Sequence, residues 1–592
     1  MFRCLDRTDE RSVTQSSKAR PSMGLLVATV LAALSGALYA AALPPSHAWP
    51  LALVSWVPLL VGLEGRRPRE AALLGAIQGF VANAVALYWL SPVVTTFVGS
   101  RPIACALIAC GVYLYDAGGV AVAGWIASRA AQSGWGRWLS FPIAVAAIEA
   151  FYPLVFPSFT GAQVHSVPVL MQLADIGGPI LVGVPIVLAN VAVAELVVSR
   201  LAGRRALRTA VVIGVLAPVF AALYGAIRIG QIDASVKAAP SLRVGIVQAN
   251  TPHERMGLRA AIRTYRAATT AFDPKTDLVV WPETALSAVI QRAALEKTLD
   301  RQVLHTPEFP EPPPFPILSG AMLGRDTEIS NSAVLFSPEG KLLGVYDKVH
   351  PLVFGEYVPL ADRFPTLDTL IPKAGRLTAG ARNQPTFELD GHRITPLICY
   401  EDVVPSFAND AVLRTHGELM VDLTNDSWFG SSTAAAMHLG VAKFRAIEHR
   451  RYLIHAATSG VSAFVDPVGR PLRETMQGET AHVVESVRWL QGESIYERSG
   501  AYPRLLLGLL VALMTLTAPR TFASRRRFAP SPPPDVKSGA GALDAIRGQF
   551  GGGSVCGGGG GQVTSGIGKP GRPSKYPWPY CVPQSQTARN SS

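Results

Sequence analysis

Apolar residues in this chain are gathered into long blocks rather than spread evenly. Such blocks occupy about 23–43, 49–64, 71–91, 102–128, 139–157, 178–198, 207–229 and 504–518. A helix of about twenty apolar residues crosses roughly 30 Å of hydrocarbon, so the pattern predicts about eight transmembrane helices. Between 230 and 500 the period changes. Short apolar runs at 242–248, 278–281, 317–322, 332–336, 341–346, 386–389, 394–398, 418–424 and 462–465 read as strands, with turn residues at Pro338-Glu-Gly340 and Asp390-Gly391. A helical stretch over 434–451 sets Met437, Val441 and Phe444 on one face. Strands mixed with helices in this way predict a layered α/β domain. Past Pro530 the chain turns to Pro, Gly and Ser, with Gly551-Gly-Gly and Gly557–Gly561, and reads as disordered. The expected organisation is a tail over 1–21, about seven helices over 22–230, an α/β domain over 240–490, a last helix over 503–519 and a tail over 530–592.

Charge orients this arrangement. Basic residues crowd the N-terminal tail (Arg3, Arg7, Arg11, Lys18, Arg20) and alternate loops (Arg66, Arg67, Arg69; Arg129, Arg137; Arg200, Arg204, Arg205, Arg208). The loops between them are nearly bare, and Arg520, Arg525, Arg526 and Arg527 follow the last block. Loops rich in Lys and Arg stay in the cytoplasm, so both ends are expected inside and 240–490 outside. The first block could instead be a cleaved signal, since Tyr39-Ala-Ala-Ala-Leu resembles a processing site; its length favours a span. Asp116, Glu149 and Glu195 fall within spans, where a carboxylate either faces the bundle interior for a purpose or pairs locally. The local reading is preferred for Glu195.

Of the 592 residues 49% are hydrophobic and only 16% charged, below the quarter usual in soluble domains, which agrees with a membrane protein. The net charge of +12 sits in loops and tails, so it argues for topology and against nucleic-acid binding. Six cysteines (Cys4, Cys105, Cys110, Cys399, Cys556, Cys581) show no CxxC pair or zinc spacing, and no metal or cofactor is expected.

Candidate chemistry lies at strand tips. The run 394–398 delivers Cys399, followed by Tyr400, Glu401 and Asp402. Leu278-Val-Val-Trp-Pro-Glu283 closes on a carboxylate, Tyr346-Asp-Lys348 on an ammonium, and 419–424 on the amide of Asn425. A thiol, a carboxylate and a lysine supply a nucleophile, a base and an electrostatic clamp.

Four motifs in order carry a family likeness: Trp281-Pro-Glu-Thr284; Asp347-Lys348 with Phe354-Gly-Glu-Tyr-Val-Pro359; Ile398-Cys-Tyr-Glu401; and Thr424-Asn-Asp-Ser-Trp-Phe-Gly430. Together they resemble the nitrilase superfamily with its Glu-Lys-Cys triad. With spans on either side, the chain is similar to the apolipoprotein N-acyltransferase branch over about 22–518. The resemblance implies a polytopic helical domain carrying an external αββα sandwich on the periplasmic side of a bacterial inner membrane. It implies Glu283 as base, Lys348 as oxyanion clamp and Cys399 as the nucleophile that takes an acyl group from a membrane phospholipid. The thioester then passes the acyl group to the α-amine of a diacylated prolipoprotein, in ping-pong order. Glu356 and Glu401 match two further acidic positions expected to orient Lys348 or the amine. Tyr400, Asn425, Trp428 and Glu149 are candidates for substrate contact. Spans make sense for such an enzyme because both substrates keep their chains in the bilayer.

The chain departs from the family pattern at His350-Pro-Leu-Val353, at His455 and Thr458 (commonly Arg and Asn), near Met256 (often Trp), and at Phe156-Pro-Ser158. His455 reads as a structural histidine. A membrane-tethered amidohydrolase, and a scaffold or transporter with an inactive domain, remain alternatives.

Overall fold

The computed structural model describes residues 23–99, 101–251, 257–358, 360–361, 363–364, 375–500 and 502–517. The expectations for the tails 1–21 and 530–592, for the neighbourhood of Met256, and for Cys4, Cys556 and Cys581 lie outside the described residues.

Every predicted apolar block contains helix, but among the described residues four helices are each long and apolar enough to cross a membrane: Leu25–Ala42, Pro102–Gln132, Ala174–Ala202 and Arg208–Ala238. The block at 71–91 is not one straight helix. It breaks into Pro68–Ala86 and Leu90–Val98, bent by 71° at a point where Leu87 leaves helical geometry. The block at 139–157 ends early, as the helix Arg137–Phe151, because Pro153 disfavours helical backbone in the residue before it. Trp49–Gly62 and Tyr502–Leu516 are apolar but shorter. Large apolar side chains such as Leu26, Ile103, Leu107, Val215, Phe220, Leu505 and Leu509 lie exposed along these helices, as a hydrocarbon surround requires. Close approach between helices uses small residues: a Cβ on Gly75 would sit 2.4 Å from the carbonyl oxygen of Val120.

The α/β domain holds two six-stranded sheets. The strands are β1 (Ser241–Gln248), β2 (Leu278–Gln291), β3 (Ile317–Arg325), β4 (Glu328–Phe336), β5 (Leu342–Asp347), β6 (Phe387–Leu389), β7 (His392–Ile398), β8 (Leu419–Thr424), β9 (Leu453–Ala457), β10 (Ala463–Val465), β11 (Pro471–Glu474) and β12 (Ala481–Arg488). One sheet runs β12-β1-β2-β3-β4-β5 and the other β11-β10-β9-β8-β7-β6. One buried cluster takes Val244, Ile246, Val280, Leu318 and Leu335 from the first sheet and Ile394, Ile398, Val421, Leu423 and Ile454 from the second, so these faces share a core. The first sheet's other face carries Val279, Trp281 and Ile317 against Tyr265 and Leu299. The second sheet's other face sets Met420, Leu453 and Val465 against Leu439, Ala442 and Ala446 of the helix Ala434–His449. Parallel pairing of β1 with β2, and of β7 with β8 and β9, aligns the carboxyl ends of these strands at one edge. That edge carries the functional side chains.

Candidate active site

Cys399 follows β7 directly and opens a short turn, Cys399–Glu401, with φ of 52°. A non-glycine residue in this left-handed region is uncommon, and strain of this kind gathers at functional turns. Glu401 ties the turn down. Its carboxylate accepts from the backbone N–H groups of Ile398 (2.9 Å), Val349 (2.6 Å) and His350 (3.1 Å) and from the Tyr346 hydroxyl (2.9 Å). Burial lifts its pKa to about 7, against the pull of those donors. Glu401 is fully buried, so it orients the chain beside Lys348 and is sealed from any incoming molecule.

Lys348 leaves β5 and turns inward with 2% of its side chain exposed. Its Nζ lies 3.1 Å from Glu283 and 2.8 Å from Glu356. Asn331 on β4 bridges the same two carboxylates, donating from Nδ2 to Glu283 Oε1 (2.6 Å) and Glu356 Oε1 (2.9 Å). Burial raises the pKa of Glu283, with Lys348 opposing and Glu356 adding to the rise. Burial would lower that of Lys348, yet the two carboxylates hold it well above the ordinary lysine value. Burial and the charge of Glu283 push the Cys399 thiol up, while Lys348 and His438 pull it down. The thiol and the Glu283 carboxylate thus lie within electrostatic reach of each other, with Lys348 acting on both. Thr458, one of the departures, donates to the Glu283 carbonyl at 3.2 Å. Gly320 on β3 lets that backbone pass, since a Cβ there would sit 2.6 Å from the Glu283 Cα.

Two cavities reach this centre. An apolar one is lined by Leu43, Leu87, Trp89 and Phe156 from the helical part and by Cys399, Tyr400, Phe429 and Met437 from the α/β domain. Tyr400 donates its hydroxyl to the Val155 carbonyl at 3.1 Å, bridging the two parts. A more polar cavity is lined by Glu283, Asn331, Glu356, Asn425 and Trp428, with Phe97. Asn425 donates to Thr284 Oγ1 at 3.0 Å, and Trp428 stacks on Phe97 with ring centres 5.1 Å apart. Ser158 of the altered Phe-Pro-Ser segment also lines the apolar cavity. Glu149 lies outside both linings: its carboxylate accepts from Thr160 N (2.7 Å) and Oγ1 (2.6 Å), holding the turn Thr160–Val164. Glu195 pairs locally with Arg204, as the sequence reading preferred.

Sequence reasoning missed a second buried cluster. His438 and His455 stand among Asp402, Asp422 and Asp426, and the ligand-type atoms of Asp402, Asp422, His438 and His455 lie within 4.8 Å of one another. The residues come from the turn after β7, from β8 and the turn after it, from the long helix and from β9, so no local spacing reveals them. His455 is buried as expected of a structural histidine, 3.0 Å from Asp422 and 3.3 Å from Asp402. Asn331 was missed too; it sits between Ser330 and Ser332 in the polar first half of β4, where nothing in the local sequence singles it out.

Comparison with known proteins agrees with this arrangement. The apolipoprotein N-acyltransferase N-terminal domain model matches residues 35–192, and the carbon-nitrogen hydrolase model matches 243–487. An apolipoprotein N-acyltransferase of Geobacter metallireducens is 32% identical over 507 residues, covering 80% of this chain and 91% of the relative. One of Azotobacter vinelandii is 31% identical over 528 residues, covering 85% and 96%. Among solved structures, a CN-hydrolase superfamily protein of Xanthomonas campestris aligns with 45% of this chain and 97% of its own, at 22% identity and a TM-score of 0.32. Identity of this extent, running through both the helical and the α/β parts, means that the chain belongs to the apolipoprotein N-acyltransferase family, a group of N-acyltransferases within the carbon-nitrogen hydrolase superfamily.

Proposed function

We propose that Cys399 carries a fatty acyl group from a membrane phospholipid to the α-amine of a diacylglyceryl-cysteine lipoprotein, with Glu283 as base and Lys348 as oxyanion clamp. The observation that carries this reading is the position of Cys399, in the wall of an apolar cavity that membrane helices complete. In the first half-reaction Glu283 takes the thiol proton and the sulfur attacks the ester carbonyl carbon. The ammonium of Lys348 meets the negative charge on the carbonyl oxygen. The C–O bond to glycerol breaks, Glu283 returns the proton to the leaving oxygen, and a lysophospholipid departs. In the second half the neutral amine attacks the thioester, Glu283 accepts its proton, and the C–S bond breaks to give an amide while Glu283 passes that proton to the departing sulfur. Glu356 holds Lys348 against Glu283 from the polar-cavity side, while Trp428 and Asn425 border the path of the acceptor.

The topology we propose is the eight-crossing one: the bent and shorter helices serve as spans shaped around the cavity, and the α/β domain folds as an αββα sandwich in the periplasm, on a bacterial inner membrane. Its support is that the basic loops and the α/β domain contact opposite ends of the helices. Arg66 bonds to the Met23 carbonyl and Ser133 to that of Thr517, whereas Tyr400 and Trp428 touch Val155 and Phe97.

Mass spectrometry of the purified protein after exposure to phospholipid tests the reading. A fatty-acyl adduct on Cys399, absent in Cys399→Ser and discharged onto a diacylated lipopeptide, is expected. Discharge to free fatty acid alone would mean an amidohydrolase-like enzyme; no adduct at all would remove Cys399 as nucleophile.

A further inference from the structure

His438 stands in the wall of the apolar cavity beside Cys399 and is, with the thiol and two tyrosines, one of the few ionisable groups among the described lining residues. Both of its ring nitrogens face carboxylates: Nε2 lies 2.8 Å from Asp402 Oδ1 and Nδ1 lies 3.1 Å from Asp426 Oδ1. Both carboxylates are fully buried. An imidazole that satisfies two acceptors at once must carry a proton on each nitrogen, which makes it a cation. Asp402 in turn donates its backbone N–H to the Cys399 carbonyl at 3.1 Å, so the pair is fixed to the turn that bears the sulfur.

We propose that His438 is a positioning residue for acyl transfer, an imidazolium in the wall of the apolar cavity whose charge favours the thiolate of Cys399. The inference rests on Cys399 being the nucleophile. A thiolate forms twice per turnover, once to attack and once when the amine expels it, and at both moments the neighbouring acyl chain keeps water away. A cation built into an apolar wall then acts at high effective strength. The groups facing His438 are Asp402, Asp426 and Cys399, with His455 at a ring-centre distance of 5.0 Å and Asp422 behind it. Burial alone would lower the pKa of His438, but Asp402 and Asp426 raise it well above the ordinary histidine value, so it stays charged across the working range.

The test is the pH profile of Cys399 alkylation by iodoacetamide in the detergent-purified full chain, read by mass spectrometry alongside phospholipid acylation. In His438→Gln the midpoint should move up by roughly one unit, which is tenfold less thiolate at a fixed pH. His438→Asn removes the same charge with a shorter amide; it should move the midpoint in the same direction, and it serves if the glutamine variant fails to fold. Midpoints equal to wild type in a folded variant would reduce His438 to a structural tie and overturn the proposal. So would one equivalent of a divalent metal in the purified protein, since the ring would then be a neutral ligand. Absence of the wild-type acyl adduct would instead overturn the role of Cys399, which the alkylation profile leaves separately visible.

Discussion

Two buried clusters of charge flank the same sulfur, and they are built on different plans. On one side Lys348 is a single cation shared by Glu283 and Glu356, with Asn331 as a neutral bridge. On the other, two imidazoles share three aspartates. The first cluster opens onto the polar cavity through Glu356, whose side chain is 14% exposed. In the second, Asp402, Asp422, Asp426 and His455 are all 0% exposed, and His438 alone of the five reaches a cavity wall, the apolar one, with 9% of its side chain exposed. A cluster that opens onto a polar cavity can exchange a proton with a substrate; one that meets only an apolar wall holds its protons and imposes a field. Proximity to the nucleophile is thus insufficient to assign a role, and access decides which cluster does acid–base work.

That contrast can be broken experimentally. Removing the shared cation should do the most damage, because Lys348→Met leaves two buried carboxylates facing each other. Breaking a buried pair costs about 3–5 kcal/mol, and loss of an oxyanion partner about a thousandfold in rate. Chemical denaturation together with lysophospholipid release measures both, and a variant that retained a tenth of its activity would refute the clamp. A smaller effect belongs to Glu283. Since burial raises its pKa, the rate should fall on acidification with a midpoint above the ordinary glutamate value of 4.5. Glu283→Gln should lose about 10²–10⁴-fold and abolish that acidic limb; a limb that survived in the variant would belong to another group. The mildest expectation concerns the second cluster. Burial would lower the pKa of His455, but bonds to Asp402 and Asp422 raise it from 6.5 to about 9. A raised folded-state pKa gives stability that is complete below 6.5 and lost as pH rises through about 9. The apparent Tm should therefore decline over that window, and His455→Arg, which cannot lose its proton there, should flatten the decline. A wild-type Tm that was level over the window would contradict the pairing.

Much of the site was legible because strand tips announce themselves. Apolar runs ending in Lys348, Cys399 and Asn425 needed only their period and their last residue to be read; Glu283 closes an apolar run as well, although β2 continues past it to Gln291, and the four come from both sheets. Less legible was anything assembled across elements. The second cluster draws on five parts of the α/β domain. The strand β9 follows its helix with scarcely a turn between, after Arg450 at φ 52°, and carries a histidine in its middle. Strands β11 and β12 hide for another reason: as edge strands they show an exposed or alternating pattern rather than an apolar run. Among the helices, Pro153 did mark the early end of its span. The 71° bend after Ala86 has its signal downstream, in Pro92, which cannot donate to the Tyr88 carbonyl and crowds it, so the helix cannot run straight through that point. Trp89, just past that bend, packs its ring against Phe156 and Phe429, contacts that fix the angle and that no window of sequence contains.

The Glu401 carboxylate is the joint whose mechanical consequence reaches furthest. It clasps the start of the cysteine turn with one oxygen and the two residues beyond the lysine with the other. Sulfur and ammonium are in this way bolted to one small bracket, although they belong to different sheets. A long, writhing lipid tail can jostle the walls of its chamber while the spacing of the two reacting groups stays constant. An enzyme that must work on greasy, poorly ordered molecules gains tolerance to their disorder from a single fully enclosed acid.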